Sequence, residues 1–159
     1  HHEVVGARMT KKILKGLKYD NKTIEDISLL VEQHLRPHTF KMGWTDSAVR
    51  RYIVDAGHML EDLNQLVRAD VTTKNKTKAK EIYDNLDEME KRIQEVKAKE
   101  ELSKIRPALS GDEIMRHFNI QPGPKVGVIM KALYEQRIND GEVSKKEALQ
   151  LAEETFKNL

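Results

Sequence analysis

Apolar residues recur along this chain at steps of three and four, and no stretch alternates with period two for long enough to argue a strand. Val4 through Leu17 set Val5, Met9, Ile13, Leu14 and Leu17 on one face, with Arg8, Lys11, Lys12 and Lys15 off it. The spacing predicts a helix whose apolar face meets a core. After the turn YDNK, Thr23 stands three residues before Asp26, an acidic variant of the capping box, and opens a helix over IEDISLLVEQHL. Pro37 disfavours helical geometry at Arg36, so that helix is expected to end near Leu35. HTFKMGW reads as a loop with two aromatics.

TDSAVRRYIVDAG begins with a cap at Thr45 or Asp46 and closes at Gly57, and HMLEDLNQLVRADV carries Leu60, Leu63, Leu66 and Val67 as its apolar stripe. The polar, basic stretch TTKNKTK then interrupts. The longest helical pattern follows, from Ala79 to about Ile105, with Ile82, Leu86, Met89, Ile93 and Val96 at alternating steps of four and three. Asp87–Lys91, Glu88–Arg92, Glu95–Lys99 and Glu100–Lys104 each place the acid four residues before the base. So narrow a seam suits one packed partner, and the expectation is a connector or arm rather than a core helix.

Arg106-Pro107 ends that segment. Ser110 with Glu113 makes a capping box, QPGPKVG is a stiff turn into VGVIMKALYEQRIND, and Gly141 stops that helix. Ser144 with Glu147 opens the final helix. The expected protein is all-α: a packed part over residues 1–72, a basic linker and long charged helix over 73–105, and a small helical tail over 106–159.

Composition narrows the function classes. The chain of 159 residues is 34% charged and 38% hydrophobic with a formal net charge of +2, so any nucleic-acid site must come from a local patch rather than a global field. There is no cysteine, which excludes a disulfide scaffold and a thiolate zinc site. No apolar run approaches the roughly 18 to 20 residues of a membrane span, and no signal segment precedes the first helix. A cytoplasmic, soluble protein without membrane contact is expected.

No complete active site is visible: there is no Gly-rich phosphate loop, nucleophile elbow or Cys/His dyad. His34 and His38 stand four apart, a spacing that puts two ligands on one helix face, but Pro37 lies between them. His34 therefore reads better as the end of its helix, where the dipole favours an imidazolium. Asp70, in VRADVTT, reads either as a carboxylate held for a metal or as a helix-end residue. TTKNKTKAK gathers Lys74, Lys76, Lys78 and Lys80, a point-charge cluster suited to an RNA backbone or simply a solvated linker. In QPGPKVG, Pro124 suits the first helical position beside Lys125, and Gly127 would admit a close backbone, whether RNA or another helix.

Taken together, HHEVVGARM, ISLLVEQHLRPH, LVRADVTTKN and the tail SGDEIMRHFNIQPGPKVGVIMKALYEQRINDGEVSKKEAL resemble, in order and spacing, the C-terminal portion of a bacterial CCA-adding tRNA nucleotidyltransferase or poly(A) polymerase that carries an HD domain. The resemblance covers essentially the whole chain. It implies an incomplete HD-type helical domain followed by a tRNA-binding tail, with the HD domain's His-Asp doublet upstream of His1. By resemblance His2, His34 and Asp70 match later metal positions of that domain. It further implies tRNA as partner and no DNA, with CTP, ATP and Mg2+ bound by a head domain that these residues do not include. Arg50, Arg51, Lys74, Lys76 and Lys125 are then the expected RNA-backbone contacts. No catalytic residue, no nucleotide incorporation and no resident cofactor are expected of these residues alone.

Overall fold

The protein is seen as a computed structural model that describes residues 2–100 and 105–159; the expected pair Glu100–Lys104 lies partly outside them. Among the described residues the regular structure is all helical: α1 (His2–Gly16), α2 (Asn21–Gln33), α3 (Asp46–Ala56), α4 (Leu60–Ala69), α5 (Lys76–Lys99), α6 (Gly111–Phe118), α7 (Pro124–Asp140) and α8 (Lys145–Lys157). Two 3-10 turns, Arg36–Met42 and Gly57–Met59, join α2 to α3 and α3 to α4. The first replaces the expected HTFKMGW loop, with Pro37 in its opening positions, where a missing N–H costs nothing.

Local signals set most boundaries. Thr45 caps α3 by accepting from the Ala48 amide at 3.3 Å, and both tail capping boxes, Ser110–Glu113 and Ser144–Glu147, are formed. At α2 the cap differs from expectation. Asp20 accepts from the Thr23 amide at 3.0 Å and from its hydroxyl at 2.6 Å. The helix thus starts at Asn21, because the Asp20 carboxylate caps the Thr23 amide and engages the Thr23 hydroxyl as a donor.

Two apolar clusters form. The first joins Val49, Tyr52 and Ile53 of α3, Leu60, Leu63 and Val67 of α4, and Leu86, Met89, Ile93 and Val96 of α5. The α5 seam is therefore a core seam, contrary to the reading of that helix as an arm. Each fully buried side chain of this kind contributes about 1.5–3 kcal/mol. Nor do Asp87–Lys91, Glu88–Arg92 and Glu95–Lys99 pair among the described residues. Asp87 goes to Arg68 of α4 at 2.6 Å, and Arg92 reaches Glu95 and, across to α3, Asp46. The second cluster joins Leu109, Ile114 of α6, Ile129 and Leu133 of α7, and Ala148 and Ala152 of α8.

The α1–α2 hairpin stands beside the first cluster. Its two helices approach closely at Gly6, where an added Cβ would sit 3.1 Å from Val31 Cγ1, next to Ala7 and Ser28 at 4% and 1% exposure. The face expected to meet a core does not. Val5, Met9, Ile13 and Leu17 are 52–65% exposed.

Candidate functional site

At the N-terminal end of the hairpin two imidazoles meet. His2 opens α1 and His34 is the C-cap of α2, and their ring centroids are 6.0 Å apart. His34 Nδ1 donates to the Val31 carbonyl at 2.6 Å, so its Nε2 is the nitrogen left to face outward. Asp70 is the exposed C-cap of α4, an end where the helix dipole disfavours a carboxylate. Among the described residues no three His, Cys, Asp or Glu side chains gather as a metal site. Two imidazoles alone are a partial ligand set, which binds a metal weakly.

The cations divide by what they already hold. Arg50 is 6% exposed and turned inward. Its Nε donates to the Ile138 carbonyl at 2.6 Å, Nη2 to the Asn139 carbonyl at 2.8 Å, and Nη1 to Glu100 Oε1 at 2.7 Å. The other oxygen of Glu100 accepts from Arg137 at 3.0 Å. Arg50 therefore closes the last turn of α7 from a buried position, turned away from the RNA-backbone contact expected for it. Arg51 is half-committed: it forms a two-pronged pair with Glu135 of α7, which raises the guanidinium's pKa and lowers the carboxylate's. Glu100 carries no local sequence signal for this joint, since its two arginine partners lie 50 and 37 residues away.

The lysines are arranged otherwise. Lys74, Lys76, Lys78 and Lys80 are exposed around the start of α5, where Asn75 caps the helix by accepting from the Lys78 amide at 3.1 Å. The first turn of α5 contains no acid. Positive side chains therefore add to the positive end of a helix dipole, an arrangement that disfavours the bare helix and favours a bound anion. Lys125, in the equally acid-free first turn of α7, rests 5.6 Å from the centre of the Phe156 ring, which itself stacks on Phe118 at 4.5 Å. An added Cβ at Gly127 would meet nothing within 4 Å, so this glycine does not serve a helix contact among the described residues.

A groove of about 1080 Å³ runs between α4 and α5 beneath α3, with His58, Arg68, Glu90 and Lys97 among its walls. Its charges alternate in sign, and it offers no concentrated field to an anion or a cation. Among the described residues no helix is long and apolar enough to cross a membrane.

Comparison with known proteins adds a sequence relationship. Residues 4–152 match the protein family described as tRNA nucleotidyltransferase domain 2. The chain is 31% identical over 148 residues to the CC-adding tRNA nucleotidyltransferase of Thermus thermophilus, covering 92% of this chain and 31% of that protein. It is 29% identical over 138 residues to the A-adding tRNA nucleotidyltransferase of Deinococcus radiodurans, covering 86% of this chain and 30% of that protein. The chain thus spans about a third of the length of the curated relatives it matches. No solved structure matches it.

Proposed function

This chain belongs to the tRNA nucleotidyltransferase domain 2 family, and we propose that it is the C-terminal, tRNA-holding portion of an enzyme that adds CCA, or part of it, to tRNA 3′ ends. The observation that carries this reading is the family match across nearly the whole chain, residues 4–152. In the parent enzyme CTP, ATP and Mg2+ bind a separate head domain, which performs the transfer. The helices described above grip RNA backbone.

The supporting geometry is the acid-free, lysine-rich start of α5 and the lysine at the start of α7. Lys74, Lys76 and Lys125 are the contacts we assign, with Arg51 able to contribute once it leaves Glu135. In this organisation residues 1–72 contribute to an HD-type domain, 73–105 supply the basic start and the long helix, and 106–159 form the tail.

Binding of tRNA across a salt series tests the grip. Four to six phosphate contacts give a log–log slope of roughly −3 to −5, and replacing Lys74 and Lys76 by alanine makes it shallower by about 1 to 2. Undetectable binding at low salt would sink the RNA reading and leave a helical scaffold. A labelled-CTP assay on residues 1–159 alone is expected to show no incorporation; turnover would overturn the assignment of catalysis to another domain.

A second reading rests on the 6.0 Å approach of His2 and His34: an HD-type, metal-dependent phosphohydrolase in the parent protein. It requires phosphodiesterase activity restored by nickel or manganese and lost in His34→Ala. Unchanged activity in that variant rejects it.

A further inference from the structure

Five of the ten exposed large apolar side chains among the described residues fall between positions 5 and 19. Four of them form a continuous stripe. Val5, Met9, Ile13 and Leu17 succeed one another every four residues, at 52%, 57%, 55% and 65% exposure, along the full length of α1 and just past it. The neighbouring side of α1, through Gly6 and Ala7, is the one that packs on α2. Beside the stripe runs a row of exposed bases, Arg8, Lys12 and Lys15, none of which forms an ion pair with a described acid. A row of apolar residues edged by charge of one sign is the pattern of a helix seated in an interface. A stripe of this length left in water would be unusual for a finished surface.

We infer that the Val5–Met9–Ile13–Leu17 face of α1 docks a helix from the part of the parent polypeptide that lies outside these residues, with carboxylates along the edge that meets Arg8 and Lys12. Two arguments select that occupant. The family match begins at residue 4, within α1, while about two thirds of each curated relative lies outside the matched region. In a longer enzyme of that kind, most of the polypeptide lies outside residues 1–159 and can supply such a helix. A second copy fits less well, because an antiparallel twofold contact through the stripe would set Arg8 and Lys12 against their own counterparts. RNA fits less well still, because aliphatic side chains offer a phosphate backbone nothing. The inference rests on the proposed membership in a longer enzyme and names the intramolecular partner of this domain.

The test uses the full-length polypeptide that contains residues 1–159, with a photo-crosslinking amino acid in place of Met9. The expected product is an intramolecular cross-link to a peptide outside residues 1–159, predominantly helical and bearing Asp or Glu. A cross-linked dimer, a cross-link to added tRNA, or no cross-link overturns the inference. A second variant, Met9→Glu, is expected to lower the melting temperature of the full-length protein, whereas an unchanged melting temperature counts against any covering partner. Binding of tRNA by the same preparations separates the two readings. If it survives while the cross-link fails, only the docking surface falls, and if it is absent from the unmodified protein, the RNA grip falls instead.

Discussion

Arg50 and Glu100 stand fifty residues apart in sequence and pair at 2.7 Å, with side chains only 7% and 16% exposed. The same carboxylate holds Arg137, itself 8% exposed, through its second oxygen. One buried anion thus keeps two buried cations together where α3, α5 and α7 meet. Removing it leaves the two guanidiniums together with, among the described residues, only the exposed Glu142 carboxylate, 3.8 Å from Arg137, to offset them. Glu100→Gln is therefore expected to destabilise the fold by about 3–5 kcal/mol, the range for breaking a buried pair from one side, as read from denaturant midpoints. Arg50→Lys should also be destabilising, since a single ammonium cannot reach Ile138, Asn139 and Glu100 together.

Met89 is fully buried in the first cluster. If α5 is a core helix, Met89→Ala costs about 2–5 kcal/mol, while Leu66→Ala, at a site 37% exposed, costs well under half as much. Equal, small effects in urea titrations would return α5 to the status of a free arm.

Glu113 accepts from Lys145 at 2.7 Å and from the Ser110 amide at 2.8 Å. The lysine first, then the cap, lowers its pKa from 4.5 to about 2. A carboxyl whose folded value lies below its unfolded one stabilises fully above about 4.5 and loses that contribution as pH falls toward about 2. Thermal melts between those limits should show a declining tail stability that is shallower in Glu113→Gln. Carbon-detected NMR titration in Lys145→Ala should find the Glu113 midpoint moved upward.

Tyr52 is wholly buried, and its hydroxyl donates to Asn64 Oδ1 at 2.8 Å. Burial raises its pKa above the ordinary 10.0. Stability from the protonated phenol is complete below that ordinary value and is lost as pH rises past it. Ultraviolet titration should leave one tyrosine un-ionised until the protein unfolds in alkali. Tyr52→Phe removes that signature at a cost of about 1 kcal/mol, or somewhat more because Asn64 loses a partner.

Helices and their ends were legible because caps and periodicity are local. Thr45, Ser110, Ser144, Gly57 and Gly141 all act within four residues of themselves. The cap at α2 was misplaced by three residues because Thr23 and Asp20 are both good caps, and sequence alone does not say which amide each will reach. The role of α5 was misread for a different reason. A seam spaced for one partner looks the same whether that partner is a single helix or the joint face of α3 and the Arg36–Met42 turn. For the candidate site, the clustering of the lysines is visible in the sequence, but what the arginines pair with is not. Arg50 and Arg51 are adjacent in sequence, yet one faces the interior and the other a surface carboxylate. That difference comes from where α7 lies, eighty-odd residues further along the chain.

The inward turn of Arg50 also bears on how the molecule melts. Each apolar cluster is complete enough to be a small core of its own, and two such cores joined by a flexible strand would unfold in two steps. Here the carbonyls that end α7, in the second half of the chain, are satisfied by a side chain from α3, in the first. Fraying of either part strands polar groups of the other in a buried setting. The two cores are thereby made one cooperative unit, and a calorimetric scan of this region should trace a single peak that splits when Arg50 is replaced.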